Sequence, residues 1–141
     1  MSEKITARVV EGWECAEFMY SHFGSACVAV ETGVYTNLDR ICDGYHGGMW
    51  EFVELSNGGA YMRLDKSDTE TMHIVIPDNY TDVAMSVDAA SITANLFAMY
   101  AVLEVRIDDE NLFNKYYWLK DYAEQHSEAA AIGQALVVVL G

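Results

Sequence analysis

The sequence predicts an α+β fold with one domain, residues 1–141, in which a small three-stranded antiparallel sheet (about residues 49–76) packs with about five helices. The chain is long enough for one hydrophobic core, since 52% of its 141 residues are hydrophobic. The spacing of apolar residues changes from helical to alternating and back, without a linker or an internal repeat. The resulting order, α-α-β-β-β-α-α-α, keeps strands and helices in separate blocks, which is typical of α+β proteins.

Two helices are predicted in the first third of the chain. The first is loosely amphipathic and ends at Gly24, a residue that readily takes the left-handed conformation of a helix end. Its apolar positions are Val10, Trp13, Phe18 and Tyr20. A short apolar strand or turn is expected at residues 27–30, and a second helix from Thr32 to Gly44 or Gly47.

The middle of the chain predicts the sheet. From Trp50 the apolar residues alternate with glutamates, and Asn57, Gly58 and Gly59 favour a tight hairpin turn with a return strand at residues 60–64. An acidic loop at residues 65–70 precedes a third strand at residues 72–76, which Pro77 ends.

Three helices are predicted in the last third. Ser86 can cap a helix over residues 87–107, whose wide apolar face predicts that it is the central helix of the core. Asp108 and Asp109 end this helix and begin the next one, and the last helix starts at Ser127.

The net charge restricts the possible partners. Eight basic and 22 acidic residues give a formal charge of −14, which repels a phosphate backbone, so no direct binding of nucleic acid is expected. Such a charge either keeps the protein soluble or attracts a basic protein, for example one whose natural ligand is DNA. Composition alone leaves both explanations open.

The sequence predicts neither a membrane segment nor a redox or metal site. No apolar run approaches the ~20 residues of a transmembrane helix, and residues 1–10 lack the pattern of a signal peptide, so a cytoplasmic protein is expected. Cys15, Cys27 and Cys42 are an odd number without metal-like spacing, which favours reduced, buried thiols.

Motifs of enzymatic chemistry are absent from the sequence. It contains no glycine-rich phosphate loop, HExxH pair or nucleophile elbow, so neither catalytic residues nor a cofactor are predicted. The histidines are well separated in sequence and are expected to cap, pack or face water. They are His22, His46, His73 and His126. A small enzyme built on scattered histidines, cysteines and acids is the less favoured alternative.

A series of short motifs carries a resemblance to a known family. The segment Tyr20–Gly24 ends the first predicted helix, and Glu31 precedes Tyr35 by four residues. Further on stand Cys42 and Tyr45, Gly47 before Trp50, and the run Asn57–Met62. The later motifs are Ser86–Ala90, the pair Leu96 and Phe97, and His126–Ile132. In this order and spacing the chain resembles the ArdB/KlcA antirestriction family over nearly its whole length.

The resemblance implies a protein that relieves type I restriction, leaves modification largely intact, and thereby protects incoming plasmid or phage DNA. It implies no cofactor and no catalytic residues. The implied partner is the type I restriction-modification machinery, or a host factor acting with it, met by a monomer or weak dimer. An acidic mimic of DNA that inhibits a DNA-binding protein is the alternative that the charge favours.

The resemblance also selects Glu31 and Trp50 as residues of a protein-interaction surface, because a tryptophan can anchor an interface. The alternative is that Trp50 is a core residue of its strand and Glu31 a carboxylate near a helix start. Two positions depart from the family: Cys15, where arginine is frequent, and Val137, where an acid is frequent. The apolar tail from Val137 to Leu140 is expected to dock on the body of the protein.

Overall fold

The computed structural model describes residues 3–66 and 70–137 and confirms the α+β class. In these residues the strands are β1 (Ala7–Val9), β2 (Trp50–Leu55), β3 (Ala60–Leu64), β4 (Thr71–Ile76) and β5 (Thr81–Ser86). The helices are α1 (Glu14–Phe23), α2 (Cys27–Ile41), α3 (Val87–Val105), α4 (Glu110–Gln125) and α5 (Ala129–Ala135). The predicted blocks are therefore present, with one additional strand before α1 and another after β4.

Helix α1 ends at Gly24, as predicted, where φ is 57°. Its core side chains are Phe18, Met19 and Phe23. Trp13 and Tyr20 were expected on the apolar face, but they are 76% and 71% exposed. The buried stripe of α1 instead runs through Phe18, Met19 and Phe23.

Helix α2 begins earlier than its apolar spacing suggested. The expectation of a strand or turn at residues 27–30 is wrong, because these residues form the first turn of α2. Its buried side chains are Val30, Val34, Leu38 and Ile41. Val30 extends the helical spacing of this stripe by one turn, so its burial completes the face that packs on the core.

Strands β2 and β3 form the predicted hairpin, in which Trp50 pairs with Leu64 and Glu54 with Ala60. Gly58 in the turn has a φ of 98°, a conformation that favours glycine. The sheet has three antiparallel strands, but the third is β1, which pairs with β2. The sheet order β1-β2-β3 leaves β3 at one edge.

The strand predicted at residues 72–76 is present as β4, but it pairs with β5 in a separate two-stranded sheet. It cannot join β3 because α3 already occupies that edge. The Met62 N–H donates to Asn95 Oδ1 at 3.0 Å, and Asn95 Nδ2 donates to the Met62 carbonyl at 2.8 Å. The Leu64 N–H donates to Ser91 Oγ at 3.1 Å. These backbone groups of β3 are the ones that a further strand would bind.

Helix α3 is the central helix, as predicted. Ser86 caps it, since Ser86 Oγ accepts a hydrogen bond from the Ala89 N–H at 3.1 Å. The helix is buried almost continuously from Val87 to Met99. Helix α3 lies very close to α2. A Cβ added at Gly33 of α2 would lie only 3.0 Å from the Cβ of Ala98 on α3. No helix in the described part of the chain combines the length and hydropathy that crossing a bilayer requires.

A buried asparagine joins the second sheet to the end of the described chain. Asn79, in the turn between β4 and β5, donates from Nδ2 to the carbonyls of Ala135 at 2.9 Å and Val137 at 3.0 Å. Its Oδ1 accepts from the Thr81 N–H at 3.1 Å. These bonds satisfy free carbonyls at the end of α5. Most of the tail that was expected to dock, beyond Val137, lies outside the described residues.

The closure of the β3 edge by Asn95 predicts that loss of this side chain lowers the free energy of unfolding. Replacing Asn95 with alanine leaves the buried N–H and carbonyl of Met62 without their partner, and we expect a loss of about 2–4 kcal/mol in the free energy of unfolding. Urea denaturation followed by circular dichroism measures it. Thr93→Val is the matched control on the same buried helix, because Thr93 Oγ1 bonds the Ala89 carbonyl of α3 itself at 2.8 Å. The control should lose less than about 1 kcal/mol; equal losses in the two variants would contradict the role of Asn95.

Candidate protein-interaction site

The two residues selected from the sequence, Glu31 and Trp50, lie on either side of one tyrosine. Tyr35 OH donates to Glu31 Oε1 at 2.8 Å. The Tyr35 ring also lies 5.6 Å from the Trp50 ring between centroids, at an interplanar angle of 55°. Tyr45 contacts Trp50 edge-on, with centroids 6.1 Å apart. We call Glu31, Tyr35, Tyr45 and Trp50 the tryptophan cluster.

Local structure places these side chains together. Glu31 and Tyr35 are four residues apart on α2 and therefore face the same side of the helix. After α2 the chain turns back, and the Tyr45 N–H donates to the Cys42 carbonyl at 3.2 Å. Two glycines then lead into β2, and Gly47 has a φ of 90°. Trp50 is the first residue of β2, so the hairpin presents it to α2.

The polarity of the cluster suits recognition rather than proton transfer. Burial and the hydrogen bond to Glu31 raise the pKa of Tyr35 to about 12, so the phenol keeps its proton at neutral pH and stays a donor. Glu31, Tyr35 and Trp50 are all partly exposed, and the adjacent Met49 is 75% exposed. An acid beside a partly exposed aromatic group can anchor a protein partner and accept hydrogen bonds from it.

The sequence identified the ends of the cluster but not its centre. Tyr35 belongs to a family motif but is not among the predicted site residues, although its spacing of four residues from Glu31 is a helical contact signal. Its contact with Trp50 joins α2 to β2 and has no local signature. Trp50 packs against the core with part of its surface and reaches the surface with the rest. Its assignment to an interaction surface therefore stays a prediction.

His22 belongs to a series of hydrogen-bonded polar side chains that joins α1, the hairpin and α4. Lys115 Nζ lies 3.0 Å from His22 Nδ1 and donates to the Gly58 carbonyl at 2.7 Å. His22 Nε2 lies 3.0 Å from Glu54 Oε1, and Arg8 binds Oε2 of the same carboxylate at 2.7 Å. An ammonium group only donates, so the proton of the neutral His22 ring lies on Nε2, facing Glu54.

Burial and hydrogen bonding together shift the pKa values of these side chains. Burial lowers the pKa of Lys115 and of His22, because the charged forms of both side chains lose hydration. Hydrogen bonds from His22 and Arg8 lower the pKa of Glu54. Each group thus has a structural partner, and the arrangement fastens the hairpin turn to α4.

His126 takes part in a second polar group, around Asp88 in the first turn of α3. Asp88 accepts from Tyr61 OH at 2.6 Å and from His126 Nε2 at 2.8 Å. Burial opposes the charge of Asp88, but these hydrogen bonds hold its pKa below the usual value. Arg63 lies 3.4 Å from Asp88 and binds Glu51 at 2.6 Å. This group fixes the start of α3 against β3.

The remaining candidates from the sequence are separate from one another. His73 contacts Asp82 across the β4–β5 pair at the surface, and His46 is exposed. The three cysteines are free thiols, of which Cys42 is buried and Cys15 and Cys27 are partly buried. Among residues 3–66 and 70–137, no three histidine, cysteine or acidic side chains are grouped as a metal site would require.

Comparison with known proteins gives one consistent result. The family model described as antirestriction protein matches residues 43–137. An Escherichia coli antirestriction protein KlcA is 35% identical over 138 residues, which cover 94% of this chain and 92% of KlcA. The Escherichia coli K12 protein YafX is 35% identical over 131 residues, with 92% and 86% of the two chains covered.

A solved structure agrees over nearly the whole chain. It comes from work on KlcA and ArdB, which are described as having a novel fold and antirestriction activity against type I DNA restriction systems in vivo but not in vitro. The match has a TM-score of 0.87 and 30% identity, and it covers 97% of this chain and 98% of the other. The predicted family is therefore confirmed: this chain belongs to the ArdB/KlcA family of antirestriction proteins.

Proposed function

We propose that this protein protects incoming plasmid or phage DNA in the cytoplasm by relieving type I restriction through protein contacts, as a binding protein rather than an enzyme. Its partner is the type I restriction-modification machinery or a host factor acting with it, and modification is spared. The observation that carries the proposal is the match along 97% of the chain to a structure from the KlcA and ArdB work. Those proteins act against type I systems in vivo.

The tryptophan cluster supports contact with a protein. Glu31 lies on α2 and Trp50 on β2, and Tyr35 contacts both, through a hydrogen bond of 2.8 Å and a ring contact of 5.6 Å. A partly exposed tryptophan fixed by neighbouring rings loses little conformational entropy on binding, which is favourable for an interface anchor.

Mimicry of DNA is the second candidate, and the net charge of −14 favours it. Several carboxylates are, however, engaged within the fold. Glu51 binds Arg63, Glu54 binds Arg8, and Asp88 binds His126. A mimic that occupies the DNA site of a nuclease also inhibits the purified enzyme, whereas KlcA and ArdB lack activity in vitro. Protein contacts that need a cellular component fit this behaviour better.

The tryptophan cluster predicts how variants of the protein protect unmodified DNA in cells. In a host with a type I system, expression of the parent protein should raise the survival of unmodified phage. Trp50→Ala should lower this protection towards the level of cells without the protein, because loss of a central tryptophan weakens an interface by about 2 kcal/mol or more. Glu31→Gln, which keeps an acceptor for Tyr35 OH but removes the charge, should lower it less. Plating efficiency measures both effects.

Trp13→Ala is the matched control, since Trp13 is 76% exposed and contributes no ring to the cluster. It should protect as well as the parent protein. Thermal denaturation and soluble expression of every variant separate loss of contact from loss of folding. Full protection by folded Trp50→Ala would show that the tryptophan cluster is not the contact site. Absence of protection by the parent protein would contradict the proposed function itself.

A second prediction concerns the need for a cellular component. Purified protein alone should leave DNA cleavage by a purified type I enzyme unchanged, and addition of cleared host lysate should make the same mixture inhibitory. Methylation by the enzyme, measured in parallel, should continue in both mixtures. Inhibition by the purified protein alone that weakens as salt increases would instead support mimicry of DNA.

A further inference from the structure

Helices α3 and α4 expose a continuous group of aromatic rings that the tryptophan cluster does not include. Tyr100 on α3 lies 6.1 Å from Tyr116 between ring centroids. On α4, Tyr116 lies 5.1 Å from Tyr117, and Tyr117 lies 4.7 Å from Phe113. We call these four residues the aromatic surface.

Three of the four rings are open to solvent, although each touches a neighbouring ring, and Tyr116 is partly buried. Phe113 is 52% exposed, Tyr117 45% and Tyr100 51%. Together with Ile107, which is 80% exposed, they line a shallow groove between the two helices, with a volume of about 390 Å³. Contiguous exposed apolar groups of this kind are typical of sites of interaction.

Acidic side chains lie beside these rings on both helices. Glu104 lies one turn after Tyr100 on α3 and lines the same groove. On α4, the exposed residues Glu110, Phe113, Tyr117, Asp121 and Glu124 follow one another at intervals of three or four residues, which places them on one face of the helix. Among the described residues that line the groove, Lys120 is the one basic side chain. The acidic side chains on α3 and α4 thus border the rings, and we call Glu104, Glu110, Asp121 and Glu124 the rim.

This combination selects one class of ligand. A guanidinium group stacks on an aromatic face and binds carboxylates through two parallel hydrogen bonds, so arginine matches both the rings and the rim. An apolar partner would leave the carboxylates of the rim desolvated. A nucleic acid would be repelled by the same carboxylates.

We propose that the aromatic surface is a docking site for an arginine-rich segment of another protein. The rings hold the guanidinium planes, and Glu104, Glu110 and Asp121 bind their edges. The proposal concerns binding alone and does not depend on the antirestriction activity, since none of its residues belongs to the tryptophan cluster.

A labelled peptide of alternating arginine and alanine tests this proposal by fluorescence anisotropy with the full chain at near-physiological ionic strength. The parent protein should bind it, and the double variant Phe113→Ala/Tyr117→Ala should bind about tenfold more weakly, because two stacking contacts are lost. A lysine–alanine peptide of equal charge should bind the parent protein more weakly than the arginine peptide does.

Two further variants complete the experiment. Tyr20→Ala removes a ring that is 71% exposed on α1, and it should bind the arginine peptide as the parent does. Glu104→Gln/Asp121→Asn keeps the rings and should also weaken binding, which provides a second route if the double aromatic variant fails to fold. Equal affinity of folded Phe113→Ala/Tyr117→Ala and the parent would overturn the proposal. Equal affinity of the arginine and lysine peptides would also overturn it, because net charge alone would then explain the binding.

Discussion

The structure depends on the side-chain amide of Asn95, which closes the outer edge of β3. This amide exchanges two hydrogen bonds with the Met62 backbone, at 3.0 and 2.8 Å, and Ser91 adds a third bond to the same edge. A helix thereby supplies what a neighbouring strand would supply, at a fully buried position where unpaired backbone groups are costly. The hairpin sheet cannot extend past β3, and β4 and β5 form a pair of their own.

The same constraint determines where the candidate site lies. With β3 held against α3, and α2 packed closely on α3 at Gly33 and Ala98, the start of β2 faces α2. Trp50 and Tyr35 meet there. At the opposite end of the hairpin, Lys115 binds the Gly58 carbonyl and fastens the turn to α4. The hairpin is thus held at both ends, and the four side chains of the tryptophan cluster have a defined arrangement.

Local signals made most of the elements predictable. Ser86 caps α3, and Asn57, Gly58 and Gly59 form the hairpin turn, because these residues act through their own backbone neighbours. Strand β1 has three residues without a buried side chain and exists through pairing with β2, so nothing in its own sequence indicates it. In β5, Thr81 and Met85 are buried while Asp82 and Ala84 are exposed, so the sequence does contain a short alternation at a strand that is absent from the predicted elements. The Tyr35–Trp50 contact required the tertiary structure.

Hydrogen exchange at the amide of Met62 tests the closure of the β3 edge most directly. If Asn95 occupies that edge in solution, the Met62 amide exchanges as slowly as the amides of β3 that face β2, because its release requires α3 to separate from the sheet. In Asn95→Ala, the protection of the Met62 amide falls, whereas the protection of the β3 amides that face β2 persists. Rapid exchange of the Met62 amide in the parent protein, at the rate of an open sheet edge, would contradict the account.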